Sequence, residues 1–359
     1  MTTTPLDGTA VVLCEGAFGT TDGKTAHGLV RYTERYRILA VIDSRHAGRD
    51  AGEILDGRPS GCPVVRDLDE VEGTTGVRPD HLVIGVATHG GVLPESARPV
   101  IRRALERGIH VDSGLHQLLG DDPEFAALAR ASGARIRDVR RTPPREAMHA
   151  FTGEIAGVEA VRVAVLGTDS AVGKRTTAVR LVQGFNDSGA RGVLIGTGQT
   201  AWMQGVRYGL ILDSLINDFV SGEIEHQIVR AWREERPDVI VIEGQGCLTN
   251  PAYPGGFEIL AGGRPDAIVL QHAPARTCYD GFPDFPLAGV DREMTILGLL
   301  SPAPVVAITL NHENLDADEV RRHAASLTAR LRIPCCDPLR DGVVPVLDGI
   351  RRRFPRIPG

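Results

Sequence analysis

Short, almost wholly apolar runs that end in a small or acidic residue recur along this chain and constrain its fold more than any other feature. In the first half they occupy residues 9–16, 37–43, 81–87 and 108–114. The segments between them, such as residues 94–108, carry apolar residues at helical spacing and end at glycine. Such runs are typical of strands buried on both faces, and their alternation with helices predicts an α/β fold with a parallel sheet.

The alternation is interrupted once. Residues 137–159 contain two adjacent prolines, many charges and no strong periodicity, and the apolar runs then resume. The later runs are residues 161–167, 192–198, 238–244, 266–272 and 304–311. Because 359 residues exceed what one hydrophobic core usually organises, we predict two domains: residues 1–145, a linker at 146–160, and a second α/β domain at 161–359 with five or more parallel strands.

Charge and cysteine content exclude several functional classes. The net charge of −6 does not favour binding to nucleic acid or to an anionic membrane. No apolar run approaches the roughly 20 residues of a membrane span, and the first residues lack the pattern of a signal peptide. The six cysteines contain no CxxC pair and are typical of reduced thiols. We therefore expect a cytoplasmic protein whose partner is a small molecule, and also a homo-oligomer.

A glycine-rich segment at mid-chain, GTDSAVGKRTT (residues 167–177), joins one apolar run to a helical pattern. Such a turn directs backbone N–H groups into one small space at the positive end of a helix, where phosphate oxygens bind. Gly167, Gly173 and Lys174 match a phosphate-binding loop, or P-loop, although five residues and not four separate the glycines. The alternative is an ordinary strand–turn–helix with a surface lysine.

Arg175 stands where such loops place a hydroxyl group for Mg²⁺, so a bound metal would need Thr176 or Thr177. The residues that we expect around the phosphates are Gly167, Thr168, Asp169, Ser170, Ala171, Val172, Gly173, Lys174, Arg175, Thr176 and Thr177. A phosphate loop also predicts an acid at the end of a neighbouring strand, and Glu243 follows the apolar run 239–242. Glu243 would bind Mg²⁺ together with Thr176, the alternative being a glutamate that caps a strand.

Other polar residues follow strands at the same predicted edge. Candidate substrate contacts are Thr197, Gln199, Thr200, Gln245 and Arg276. Candidate catalytic residues are Lys174, Asp218, Glu243 and His272. Asp218 and Glu225 are two helical turns apart and would hold a substrate amine or a metal, unless they form a solvated acidic face. His272 is placed for acid–base chemistry, unless it is a structural histidine.

Two further residues have weaker patterns. Asn311 ends an apolar run at a position where nucleotide-binding folds place an amide that reads a base. Cys247 would be a nucleophile only with an activating base, and no base is identifiable beside it.

The first domain carries an incomplete dinucleotide pattern. Gly16 and Gly19 follow its first apolar run without a third glycine, and Asp43 ends the second run. Any flavodoxin-like sheet could show these residues, so NAD chemistry is not predicted.

The motifs GTDSAVGKRTT, GTGQT, DFVSGEIE, EGQGCLTNPAY and GLHQLL resemble the D-glutamate N-acetyltransferase family over nearly the whole chain. The resemblance implies a Rossmann-like N-terminal domain, a P-loop C-terminal domain and acetyl transfer from acetyl-CoA to D-glutamate. GTDSAVGK and EGQG are also similar to motifs of dethiobiotin synthetase, which implies that Lys174, Thr176 and Glu243 bind ATP and Mg²⁺ and that Asn311 reads the base. Arg175 departs from the synthetase pattern, and Cys247 departs from the serine expected in the acetyltransferases.

The two resemblances imply different reactions. Acetyl-CoA carries an activated acyl group, so an acetyltransferase needs to position an amine, remove its proton and stabilise an oxyanion. Glu243 would instead suit ATP and Mg²⁺ in an amide ligase or kinase that forms an acyl phosphate. The first reading is favoured because its resemblance covers more residues. A nucleotide-dependent switch or metallochaperone would need a histidine-rich or cysteine-paired tract, which is not present.

Overall fold

The computed structural model describes residues 7–359, with His89 described by its backbone alone. The described chain divides into two compact units. Their segments are the chain up to Thr142 with Gly198–Arg207, and Pro143–Thr197 with Tyr208–Gly359. In residues 7–359, no helix combines the length and the apolar character needed to cross a membrane.

The first unit contains a six-stranded parallel sheet with strand order β3-β2-β1-β4-β5-β6. Its strands are β1 (Gly8–Leu13), β2 (Tyr36–Ile42), β3 (Val64–Val65), β4 (His81–Ile84), β5 (His110–Ser113) and β6 (Ile136–Asp138). Its helices before the linker are α1 (Lys24–Arg31), α2 (Ala51–Asp56), α3 (Leu68–Thr75), α4 (Arg98–Glu106) and α5 (Pro123–Ser132). This strand order is that of a doubly wound dinucleotide-binding fold.

The second unit contains a seven-stranded parallel sheet with strand order β15-β14-β11-β7-β10-β8-β9. Its strands are β7 (Val161–Gly167), β8 (Gly192–Gly196), β9 (Tyr208–Gly209), β10 (Val239–Glu243), β11 (Ala267–His272), β14 (Val305–Leu310) and β15 (Cys335–Cys336). A separate antiparallel hairpin is formed by β12 (Cys278–Tyr279) and β13 (Phe282–Pro286). The central strand β7 therefore lies between β10 and β11.

Helices cover both faces of this second sheet. In chain order they are α6 (Lys174–Asp187), α8 (Asn217–Glu235), α9 (Phe257–Gly263), α10 (Gly289–Leu300), α11 (Ala317–Leu331) and α12 (Val344–Arg353). Helix α7 (Gln199–Met203) lies between α6 and α8 in the chain but belongs to the first unit. Val163 and Val165 of β7 pack in one hydrophobic cluster with α6 and α12. Ala164 and Leu166 pack in the other cluster, with α8 and α10. This alternation explains why β7 reads as a continuous apolar run.

The segment Gly198–Arg207, which the sequence assigns to the second domain, packs in the first unit. Met203 is fully buried in the first unit's core. The Arg35 guanidinium lies 3.8 Å from the centre of the Trp202 ring, and its Nε donates to the Trp202 carbonyl at 2.7 Å. The first unit is therefore built from two separate stretches of chain.

We predict that Met203→Ala lowers the free energy of unfolding of the first unit by about 2–5 kcal/mol, because it leaves a cavity in that unit's core. Calorimetric unfolding of the variant measures the change. Val92→Ala is the control, since Val92 lies in the same unit and is exposed. An unchanged unfolding transition in Met203→Ala would show that Met203 does not pack in the core of the first unit.

Candidate functional site

The segment between β7 and α6 forms a phosphate-binding loop. Gly173 has a φ of 104°, which L side chains rarely adopt, and Ala171 has a φ of 50°. Within the described chain, the backbone N–H groups of Ala171, Val172 and Gly173 donate to no backbone or side-chain acceptor. They precede the first turn of α6, where the helix dipole favours negative charge. The loop can therefore hold a phosphate group through its main chain.

Asp169, predicted as a phosphate contact, fixes the shape of this loop. Its carboxylate is fully buried. Oδ1 accepts from the Ser170 amide at 2.7 Å and from Asn250 Nδ2 at 2.8 Å. Oδ2 accepts from Arg276 Nη1 and from the Asp280 amide, both at 2.9 Å. One buried carboxylate thus holds three residues from later in the chain against the loop.

Arg276, predicted as a substrate contact, braces the same loop. Its Nη1 donates to the Ser170 carbonyl at 2.8 Å as well as to Asp169, and its Nη2 donates to Glu313 at 2.7 Å. The side chain is buried. These contacts use the guanidinium to neutralise Asp169, and they give Arg276 a structural role in this structure.

Lys174 extends its side chain through a narrow passage. It is buried, and its Nζ donates to the Asp169 carbonyl at 2.7 Å. A Cβ atom on Gly167 or on Gly244 would lie 3.1 Å from Lys174 Cδ. The lysine stem therefore packs against both glycines, but the stronger reason for a glycine after Glu243 is the Val165 carbonyl oxygen, which would lie 2.2 Å from a Cβ on Gly244.

Arg175 is paired with Glu243, the predicted metal ligand. Its Nε donates to Glu243 Oε1 at 2.9 Å, and the Thr197 amide donates to Oε2 at 3.0 Å. Thr197 Oγ1 donates to the Glu243 carbonyl, and Gln245 Nε2 donates to Thr197 Oγ1 at 3.2 Å. Glu243 is buried, so its charge is neutralised by the guanidinium inside the protein.

The two candidate hydroxyl ligands for Mg²⁺, Thr176 and Thr177, differ in burial and in their hydrogen bonds. Thr177 is buried and donates to Gln271 Oε1 at 2.5 Å, whereas Thr176 is half-buried. Because Arg175 forms an ion pair with Glu243, a divalent cation beside the loop would be repelled by the guanidinium group. The Glu243 carboxylate would also not be free to bind it. Residues 7–359 also contain no cluster of three or more His, Cys, Asp or Glu side chains arranged for a metal. These residues do not fit Mg²⁺.

Two strand ends beside the loop carry predicted residues. A hydrogen bond of 2.9 Å joins His272 Nδ1 to Thr168 Oγ1, and the tautomer of the imidazole decides which atom donates. Burial lowers the pKa of His272 to about 4, with a smaller contribution from His323, so the imidazole is neutral at neutral pH. Asn311 donates from Nδ2 to the Val172 carbonyl at 3.1 Å. Both side chains support the loop.

Three predicted residues have other surroundings. Gln199 and Thr200 belong to the first unit, where Thr200 is buried 3.0 Å from Thr25 and Gln199 accepts from Arg140 at 3.0 Å. Asp218 is exposed in the first turn of α8.

Glu225, the predicted partner of Asp218, forms hydrogen bonds with the linker. Glu225 is buried and accepts from the backbone amides of Thr152 and Ile155. These hydrogen bonds keep the pKa of Glu225 below its usual range despite burial. Glu225 therefore anchors the linker to α8, and Asp218 and Glu225 do not act as a pair.

A polar cluster near the loop was not predicted from the sequence, although Cys247 was considered alone. The cluster consists of the buried residues Cys247, Tyr279 and Glu293 and of half-buried Thr249. Its signal in the sequence is Glu293, which stands between Val290 and Leu297 on the buried face of α10. A carboxylate on an apolar helix face is rare because an unpaired buried charge is costly.

The candidate dinucleotide residues of the first unit bind each other. Asp43 is fully buried, and it accepts from the amides of Gly16 at 3.2 Å and Phe18 at 3.1 Å. Phe18 itself is buried inside the glycine turn. Asp43, the acid that would bind a ribose in a dinucleotide fold, therefore stabilises the glycine turn through these hydrogen bonds.

Comparison with protein families matches both parts of the chain. Residues 44–142 match a Rossmann-like domain of unknown function, DUF1611_N. Residues 149–347 match a P-loop domain of unknown function, DUF1611_C. The predicted fold class, with two α/β domains in this order, is confirmed.

Individual relatives cover most of the chain. A protein named D-glutamate N-acetyltransferase from Tritonibacter scottomollicae is 34% identical over 275 residues, 75% of this chain and 80% of the relative. A protein of the same name from Pseudoalteromonas sp. is 32% identical over 267 residues, 73% of this chain and 78% of the relative. A crystal structure of a DUF1611 family protein from Anabaena variabilis has a TM-score of 0.86 and 30% identity, covering 96% of this chain and 99% of the other. The predicted resemblance and the transferase class are confirmed.

We predict that Cys247 reacts slowly with iodoacetamide at neutral pH. Burial raises its pKa to about 11, with a further contribution from Glu293, so the thiol stays protonated. At pH 8 the thiolate fraction implies alkylation roughly 100-fold slower than that of free cysteine. Peptide mass mapping of the alkylated protein measures the rate, with half-buried Cys278 as an internal reference. Rapid labelling of Cys247 at pH 7 would show that another group activates it.

Proposed function

This chain belongs to the DUF1611 family, and we propose that it is an N-acetyltransferase that transfers the acetyl group of acetyl-CoA to the amine of a small acidic amino acid, with D-glutamate as the first candidate. The observation that carries the proposal is a phosphate loop whose residues do not fit Mg²⁺. The names of the two relatives support acetyl transfer and the choice of substrate.

The loop suits the phosphate groups of coenzyme A. Coenzyme A contains an adenosine diphosphate part with an additional phosphate, and none of these groups is cleaved during acetyl transfer. Main-chain N–H groups at residues 171–173 and the Lys174 ammonium can bind such phosphates as they would bind a nucleotide. Binding alone is sufficient because the acetyl thioester is already activated.

The alternative of an ATP-dependent ligase or kinase is less well supported. That reading was based on Glu243 as a Mg²⁺ ligand beside a triphosphate. In this structure Arg175 and the Thr197 amide occupy the two carboxylate oxygens of Glu243. Since phosphoryl transfer depends on metal ions that neutralise the developing charge, this pairing favours the acetyltransferase.

The two reactions are distinguished by their products. The protein is incubated with acetyl-CoA and a panel of D- and L-glutamate, D- and L-aspartate and glycine, and free CoA thiol is measured. Parallel reactions with ATP and Mg²⁺ are assayed for ADP. Release of CoA with an acidic amino acid supports the proposal, whereas ADP formation without CoA release would overturn it.

We predict that both Lys174→Ala and Lys174→Arg weaken CoA binding by about 10- to 100-fold, the effect of losing a charge-assisted contact to phosphate. Only two of the 40 Lys and Arg residues are lysines, Lys24 and Lys174. The lysine Nζ would lie 3.2 Å from a Cβ on Gly167, and we expect the wider guanidinium group not to fit in that space. Calorimetric titration with CoA measures the affinity.

Lys24→Arg is the matched control for this prediction, because Lys24 is exposed and lies in the first unit. It should retain the wild-type affinity. Wild-type affinity in Lys174→Arg would show that the passage between the glycines does not select the lysine.

We predict that EDTA leaves the affinity of the wild-type protein for CoA unchanged, because Arg175 occupies the Glu243 carboxylate. Arg175→Thr is the informative variant, since it frees Glu243 and restores a hydroxyl group at the usual metal-binding position. In that variant we expect Mg²⁺ to raise the affinity for ADP. Loss of CoA binding by the wild type in EDTA would contradict the metal-independent loop.

A further inference from the structure

Glu293 is a buried acid whose presence requires an explanation. It is 1% exposed on the inner face of α10, between the buried side chains of Val290 and Leu297. No arginine or lysine is paired with it within residues 7–359. A carboxylate in such surroundings is retained at a cost in stability, which is typical of groups with a chemical role.

A chain of hydrogen bonds ends at this carboxylate. The Ala288 amide lies 3.3 Å from the Tyr279 hydroxyl, which donates to Thr249 Oγ1 at 2.7 Å. Thr249 Oγ1 in turn donates to Glu293 Oε1. Each donor points toward Glu293, so the arrangement holds the carboxyl group in one orientation.

This cluster is attached to the phosphate loop. Asn250 follows Thr249, and Asp280 follows Tyr279, and both bind the Asp169 carboxylate in the loop. Burial raises the pKa values of both Glu293 and Cys247, and the positive charge of Lys174 opposes that shift slightly in each case. The acid and the phosphate cradle therefore belong to the same edge of the sheet.

We propose that Glu293 is the general base that removes the proton from the substrate amine during acetyl transfer. This inference rests on the proposed N-acetyltransferase function. The Thr249–Tyr279 pair acts as a positioning element that holds the Glu293 carboxyl group in one orientation.

The substrate ammonium gives one proton to the Glu293 carboxylate, and the free amine forms a C–N bond to the carbonyl carbon of acetyl-CoA. The tetrahedral intermediate loses a second amine proton to solvent and breaks its C–S bond. The protonated Glu293 then gives its proton to the departing CoA thiolate, which restores the carboxylate.

Burial supports this role because it raises the pKa of Glu293, and the nearby hydrogen bonds only partly offset the shift. A carboxyl group with a raised pKa both accepts and returns a proton more readily near neutral pH. Buried His272, with a pKa of about 4, is a weaker base than the raised Glu293 carboxylate.

The test compares Glu293→Gln with the wild type in the full-length protein, using acetyl-CoA and the amino acid that gives the highest wild-type rate. We expect kcat at pH 7.5 to fall at least about 100-fold, the usual effect of losing a general base. The affinity for CoA should not change. The remaining rate should rise with pH, because the fraction of free amine rises and no base is then needed.

Glu223→Gln is the matched control. Glu223 is also a buried glutamate of the second unit, on α8, where it accepts from His149 at 2.9 Å and takes no part in the cluster. It should keep the wild-type pH profile. A purely structural role for Glu293 would lower the rate equally at all pH values and would leave the pH profile unchanged.

The outcomes separate the two proposals. If the wild type releases no CoA with any amino acid in the panel, the proposed function is wrong. If the wild type is active and Glu293→Gln keeps its rate and pH profile, only the role of Glu293 is wrong. Should Glu293→Gln fail to fold, Glu293→Ala is assayed with added formate: restored turnover supports the general base, and no restoration overturns it.

Discussion

The buried carboxylate of Asp169 is the interaction on which the second unit's site depends. It receives hydrogen bonds from its own loop, from the segment after β10, from Arg276 before β12 and from the Asp280 amide after β12. Removing one partner from such a buried ionic group typically costs about 3–5 kcal/mol, because the remaining charge is left uncompensated. This one carboxylate links the phosphate loop to Arg276, to Asn250 beside Thr249 and to Asp280 beside Tyr279.

Arg175 stands beside the loop at the position where P-loops usually have a hydroxyl group that binds a metal ion. In a nucleotide-hydrolysing enzyme, a hydroxyl and an acid at these two places hold Mg²⁺. Here Arg175 supplies a permanent positive charge to Glu243, and Thr177 is turned toward Gln271. The loop keeps its main-chain N–H groups and its lysine, which are the groups that contact phosphate in P-loops. Under the proposed function, the phosphate groups of the ligand are bound at this site but are not cleaved.

Local spacing made much of the molecule predictable. The apolar runs identified both parallel sheets because a strand covered on both faces must be apolar throughout. Gly173 and Lys174 identified the phosphate loop because the geometry of a strand–turn–helix is decided within a few residues. The segment after β8 was misleading, since Gln199 and Thr200 follow a strand of the second unit but pack in the first. The local sequence predicts the secondary structure of a segment. The unit in which the segment packs depends on contacts with residues that are distant in the sequence.

The sequence alone determined the two α/β domains, their order, the phosphate loop and the family, because these depend on periodicity and on short motifs. Only the tertiary structure decided that Arg175 neutralises Glu243, 68 residues away, and that Arg276 neutralises Asp169, 107 residues away. Nor does the sequence show that Glu293 lies beside Thr249, 44 residues earlier in the chain. The physical reason is that a charged side chain takes its role from the charges and hydrogen-bond partners that folding brings next to it.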